Sequence, residues 1–211
     1  MVIAKIFVEG GGDANLLRTN CRKGFSNFLK KAGLEGFMPR IVACGGREAT
    51  FNSFCTAIKN GENAFLLVDS EEPVKAEYQN GSPETWKPFS HLQERDKWDK
   101  PQNADETHCH LMTQCMETWL IADRNALAKY FSKHFNANAL PALGTDLEAK
   151  TKSDIYDILR RATSRCNKHY DKGDNSFEIL ETIDPAIVTS QCAWAKRFVD
   201  ILKVKLKELS R

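Results

Sequence analysis

Carboxylates recur where hydrophobic runs stop: Glu9 and Asp13 in FVEGGGD, Asp69 and Glu71 in LLVDSE, and Glu117 in QCMETW. Acids gathered in this way commonly hold metal ions. Asp69 and Glu71 are two residues apart at the end of an apolar run, so in an extended chain both side chains leave the same face, about 7 Å apart along the chain. Two like charges so placed repel one another unless a cation joins them. With Glu9 from a neighbouring strand, such a pair could hold one divalent ion or two. Hard oxygen donors suit Mg2+ or Mn2+, and a pair of such ions stabilises both the attacking and the leaving oxygen of a phosphoryl transfer. The same residues have plainer roles open to them. Glu9 or Asp13 could cap a following helix, Asp69 and Glu71 could be neutralised by Arg40 or Arg47, and Glu117 could pair with an arginine in the core.

The elements that must position these acids follow from hydrophobic spacing. The run Val2 to Val8 and the run Ala64 to Val68 are continuously apolar, as expected of strands covered on both faces in a parallel sheet. Between them, Leu17, Cys21, Phe25, Phe28, Leu29 and Ala32 recur every three or four residues, the spacing of one helical face, and Gly33 supplies a stop. A second strand is expected over Arg40 to Ala43, then a helix carrying Phe51, Phe54, Cys55 and Ile58 that closes at Gly61. Strands alternating with helices imply right-handed crossovers and a parallel sheet. Ligands bind at the carboxyl ends of the strands in such sheets, which is where the acids fall.

Residues 72–107 differ: they hold four of the seven prolines and two of the four tryptophans, with weak periodicity. They read as an irregular insertion with a short helix at His91 to Asp96, and Trp86 and Trp98 argue against full disorder. A fourth core segment, His110 to Cys115, precedes helices over Glu117 to Phe131, Ser153 to Arg165, Ser176 to Ile183 and Trp194 to Leu209. The last of these carries Lys196, Arg197, Lys203, Lys205, Lys207 and Arg211, read as a solvated basic face.

The chain has 211 residues with 30 Lys plus Arg against 28 Asp plus Glu, a net charge of +2, so bulk charge does not mark a nucleic-acid binder. No apolar run reaches the roughly 18 residues of a membrane span and no signal peptide is evident, so a cytoplasmic protein is expected. The seven cysteines contain no CxxC pair. They read as reduced, buried thiols. His108, Cys109, His110 and Cys115 are close enough to raise a zinc site, although the alternation of the two histidines suits a structural role equally well. The EGGGD loop has neither the GK[ST] of a P-loop nor the glycine spacing of a dinucleotide loop.

Glu-Gly at the end of the first strand, with an Asp-x-Asp-like pair at the end of the third, resembles the Toprim domain of topoisomerases, primases and the overcoming-lysogenization-defect nucleases. The wider set of blocks EGGGD, CGGR, LLVDSE, HLMTQCMETWLIAD and KHYDKGDNSFEIL, spread over most of the chain, resembles a bacterial Toprim-like family, domain-of-unknown-function family 4276. That resemblance implies an α/β fold with a Toprim-like central parallel sheet of about four strands flanked by helices. The core would span 1–123, with a helical extension over 124–211 packed on the same domain.

It also implies metal-dependent phosphodiester chemistry. Glu9 matches the Toprim glutamate, Gly10 its glycine, Asp13 the second acid of the nuclease branch and Asp69 the first aspartate, while Glu71 stands where an aspartate is usual. Glu117 is a further candidate metal carboxylate, with Gln114 one turn before it and Arg47 as supporting residues. The nuclease branch uses a lysine ahead of a late helix, which Lys172 matches first and Lys168 second, although Lys172 could equally be a surface residue. The expected function is a Mg2+- or Mn2+-dependent nuclease, with DNA ahead of RNA as substrate. It would act with a separately encoded ATPase in anti-phage defence, because the ATPase segment of the related nucleases is not in this chain. The alternatives are a non-catalytic interaction or regulatory subunit and a nucleotidyl or phosphoryl transfer enzyme.

Overall fold

Four short strands form the centre: β1 (Lys5–Val8), β2 (Arg40–Ala43), β3 (Ala64–Asp69) and β4 (Cys109–Met112). The computed structural model describes residues 4–12, 14–173 and 175–210, so Val2 and Ile3 of the expected first strand lie outside the described residues. All pairings are parallel, in the order β2-β1-β3-β4. Val8 lies level with Ala43 and Leu67, and Asp69 with Met112. Glu9, Asp69 and the residues after Met112 therefore leave the sheet at one edge.

Both faces of the sheet are covered, and alternate residues of each strand enter different cores. Ile6, Val8, Ile41, Ala43, Phe65, Leu67 and Met112 pack with Phe25 and Phe28 of α1 (Asn15–Leu29) and with the C-terminal helices. Phe7, Leu66, Val68, Cys109 and Leu111 pack with Phe51, Phe54 and Ile58 of α2 (Arg47–Lys59) and with the insertion. The continuous apolar runs thus arise from burial on both sides. A single π-helical turn, Lys30–Leu34, extends α1 and ends where Gly33 adopts φ +91°.

The insertion is better ordered than its composition suggests. Two 3-10 turns, Ala76–Tyr78 and Pro83–Thr85, lead into α3 (Pro88–Asp96), and Trp86 before it and Phe89 and Leu92 on it are buried. The C-terminal half holds α4 (Glu117–Ala122), α5 (Arg124–Phe131), α6 (Lys152–Thr163), α7 (Ser176–Thr182), α8 (Pro185–Gln191) and α9 (Ala193–Leu209). Leu127, Ile155, Leu159, Leu180, Phe198 and Leu202 of these helices share one core with the sheet.

Three sequence expectations need correction. The helix expected over Glu117 to Phe131 is two, because Asp123 leaves helical geometry at φ −95°, ψ 81°. Its carboxylate instead accepts the amides of Ala126 (3.0 Å) and Asp184 (2.9 Å). Helix α8, begun by Asp184 as cap and Pro185 in its first turn, was not expected at all. Finally, Arg197 does not belong to a solvated basic face. It is 1% exposed and donates to the carbonyls of Pro83 (2.7 Å), Cys109 (2.8 Å) and Glu106 (2.7 Å), tying α9 to the insertion.

Candidate metal centre

Glu9 stands one residue past β1, Asp69 is the last residue of β3, and Glu71 follows two residues later. Their carboxylates each bring an oxygen within 4.8 Å of the others, and they could together hold a metal ion. Three ligands of one octahedral ion with ~2.1 Å bonds include at most one opposite pair, about 4.2 Å apart, with the others about 3.0 Å apart, so the group would draw together on binding an ion. No other group of acids, histidines or cysteines meets this criterion among the described residues. The zinc reading fails on placement, because Cys109 and Cys115 are buried in cores on opposite faces of the sheet. His110 is enclosed between Arg197, Phe65 and Phe198.

Each acid is held by its backbone surroundings. The Asp69 amide donates to Glu9 Oε2 (3.2 Å), and Asp69 Oδ1 accepts the amide of Met116 (2.9 Å). Glu71 adopts φ +65°, and its amide donates to the carbonyl of Gln114 (2.9 Å). Gln114 therefore supports the site through its main chain. At Gly10, amide and carbonyl exchange hydrogen bonds with Gly45 at 2.9 and 3.0 Å, locking the loops after β1 and β2 together. Gly10 has φ +132°, and a Cβ there would lie 2.9 Å from the Phe177 ring, so the position requires glycine.

Two cations offset part of the cluster's charge, and both begin helices. Arg47, the first residue of α2, donates to Glu9 Oε2 (3.2 Å) and to the Asp69 carbonyl. Its other nitrogens reach Asp96 at 3.1 and 2.7 Å, and Trp98, stacked on Phe51, lies 4.9 Å from the guanidinium. Lys152, the first residue of α6, donates to Asp69 Oδ2 (3.2 Å) and Glu71 Oε1 (2.6 Å). Burial pushes the Asp69 carboxyl up to about 8, reinforced by repulsion from Glu9 and Glu117. Glu9 is also raised, chiefly by burial. Burial works against the Lys152 ammonium, but Asp69 and Glu71 hold its pKa above the ordinary range.

Glu9 and Asp69 open onto a cleft of about 330 Å³ lined also by Gly10, Gly11, Gly12, Met116 and Phe177. Glu117 and Lys172 line the same cleft. Glu117 lies outside the three-acid group: its carboxylate accepts the hydroxyls of Tyr170 (2.8 Å) and Tyr156 (3.2 Å) and lies 3.5 Å from Ser176 Oγ. Lys172 is exposed at the rim, its ammonium 5.4 Å from the Tyr156 ring centre. Lys168 is not among the cleft's residues; it pairs on the surface with Glu178 (2.8 Å) and the Tyr130 hydroxyl. Asp13 lies outside the described residues, and Arg40 is exposed at the opposite end of its strand.

A family model, Domain of unknown function (DUF4276), matches residues 8–203. The chain belongs to that family. No curated protein and no solved structure matches it. Sequence reasoning missed several residues that shape this DUF4276 site: Lys152, Tyr156, Tyr170 and Asp96. A signal for Lys152 was available, since Thr151 and Asp154 form a capping box that marks the start of α6. A cation at a helix start opposes the helix dipole and therefore points to a partner elsewhere. No helix among the described residues is long and apolar enough to cross a membrane.

Proposed function

We propose that this protein is a divalent-metal-dependent nuclease with a Toprim-like catalytic edge, hydrolysing phosphodiesters in DNA. The reading rests on one observation above all: oxygens of Glu9, Asp69 and Glu71 lie within 4.8 Å of one another at the carboxyl edge of a parallel sheet, beside a cleft. An all-carboxylate donor set favours Mg2+ or Mn2+ over zinc. When bound, such an ion supplies Lewis-acid stabilisation of the phosphate and an activated water. Glu9, Asp69 and Glu71 would hold it, while Arg47 fixes the Glu9 carboxylate from behind. Lys172, exposed on the cleft rim, would neutralise charge that develops on the scissile phosphate. Glu117, on the cleft, accepts the hydroxyls of Tyr156 and Tyr170. A separately encoded ATPase and a role in anti-phage defence belong to this reading as its biological setting. The test is manganese- or magnesium-dependent cleavage of DNA by purified protein, with the product of the adjacent gene added in a parallel reaction. Parent protein inert with either metal in both reactions, or Asp69→Ala cutting as well as parent, sinks the proposal.

One observation favours a second reading, a non-catalytic interaction subunit. Lys152 already bridges Asp69 and Glu71 at 3.2 and 2.6 Å, so part of the cluster's charge is neutralised within the chain. On that reading calorimetry detects no Mn2+ binding, and Glu9→Ala leaves cellular function intact. For nucleotidyl or phosphoryl transfer to a small substrate, turnover of free nucleotides without cutting of a polynucleotide would be the mark.

A further inference from the structure

We infer that the arginine-lined groove at the far end of α6 is a track for a polynucleotide backbone leading to the cleft; this rests on the nuclease reading. The groove, of about 920 Å³, lies between the 134–139 loop and the C-terminal end of α6, and is lined by Arg160, Arg161 and Arg165 with His134, Asn136 and Ser164. No aspartate or glutamate lines it. The loop is fixed to the helix by the Asn136 amide donating to the Ala162 carbonyl (2.8 Å) and from below by Arg124, which donates to the carbonyls of Ala137 (3.0 Å) and Pro141 (2.5 Å).

Cations in the last turn of a helix are ordinary, because they complement its dipole. The concavity and its lining set these apart. Arg160 pairs with Asp157 at 3.1 Å, but that pair is largely exposed, at 68% and 52%, and weak. Arg161 Nε donates to the Asp157 carbonyl (3.3 Å), a neutral acceptor. Arginine presents a planar fork that matches phosphate oxygens.

Helix α6 joins the two sites directly. Lys152, Tyr156, Arg160 and Ser164 recur every four residues, a spacing that sets them along one stripe of the helix. The stripe begins on the acids, passes Glu117 and Lys172 at Tyr156, and ends in the groove. Eight residues of helix span ~12 Å, a distance that a few nucleotides of one strand bridge. A backbone seated on the arginines would therefore reach the cleft within a few nucleotides. Oxygens of phosphodiesters, common to DNA and RNA, are the recognised chemistry.

The test measures binding of a labelled single strand of about 30 nucleotides, DNA and RNA in parallel, by fluorescence anisotropy with chelator present and NaCl varied upwards from about 50 mM. Binding without metal keeps this separate from the nuclease reading, which is judged on metal-dependent cleavage by the parent. The R160A/R161A/R165A variant is expected to bind both strands at least about tenfold more weakly, with a salt slope smaller by roughly two to three. The K203A/K205A/K207A variant, altering another basic surface, is expected to match the parent, and circular dichroism should report an unchanged fold for both. Parent affinity and slope retained by the arginine variant would overturn the inference, as would a parent that binds neither strand. Equal displacement of the strand by polyglutamate of the same charge would also overturn it, since the groove would then select no backbone.

Discussion

Two sets of carboxylates meet at one cleft, which Glu9, Asp69 and Glu117 line, and they are partnered in opposite ways. Glu9, Asp69 and Glu71 are met by cations, Arg47 and Lys152. Glu117, 2% exposed, is met by the neutral hydroxyls of Tyr170 and Tyr156. A charge held by another charge can exchange that partner for a metal ion. A charge held by two hydroxyls, one from α6 and one from the loop before α7, is part of the scaffold. On the proposed nuclease reading, the first set is the reactive edge and the second its rigid wall.

Exchangeability separates the two most sharply at Asp69. Asp69→Asn should lower metal-dependent cleavage at least about 1,000-fold and abolish Mn2+ binding by calorimetry. For Lys152→Met, unfolding with chelator present should show a loss of about 2 kcal/mol, or roughly 4–8 °C for a chain of this size, and Mn2+ should restore it. A cluster that never takes a metal would show the loss without the restoration.

The pH dependence has a defined sign. Asp69 is raised to about 8 by burial and by its acidic neighbours, so the folded chain binds a proton that the unfolded chain releases near 4. Stability of the metal-free protein should fall as pH rises from about 4 to about 8. Metal must displace that proton, so Mn2+ affinity should climb by up to roughly tenfold per unit until about pH 8.

Smaller effects probe the wall. Tyr170→Phe removes one donor from a buried carboxylate and should cost about 1–2 kcal/mol in thermal unfolding, equally with and without Mn2+. A Mn2+-dependent loss there would merge the two sets into one centre. Asp96→Asn loosens Arg47 rather than the acids themselves, and should weaken Mn2+ binding only severalfold.

Much of this edge was legible in the sequence because parallel strands buried on both faces announce themselves as short apolar runs. Arg40 to Ala43 matches β2 at both ends, and the run from Ala64 misses only Asp69 at its end. Convergence of Glu9 with Asp69 and Glu71 follows from strands that end at one edge. The remainder depends on where later helices return. Nothing within QCMETW says that Tyr156 and Tyr170, about 40 and 50 residues on, will close over Glu117. Likewise Arg197 reads as one more cation on a basic helix, and only the packing of α9 against the insertion buries it.

The most direct measurement is anomalous diffraction at the manganese edge from crystals soaked in Mn2+. One strong peak is expected at about 2.1–2.2 Å from an oxygen of each of Glu9, Asp69 and Glu71, with Lys152 drawn away from Asp69. Absence of a peak at this edge, with Lys152 still bonded to both Asp69 and Glu71, would contradict the metal centre.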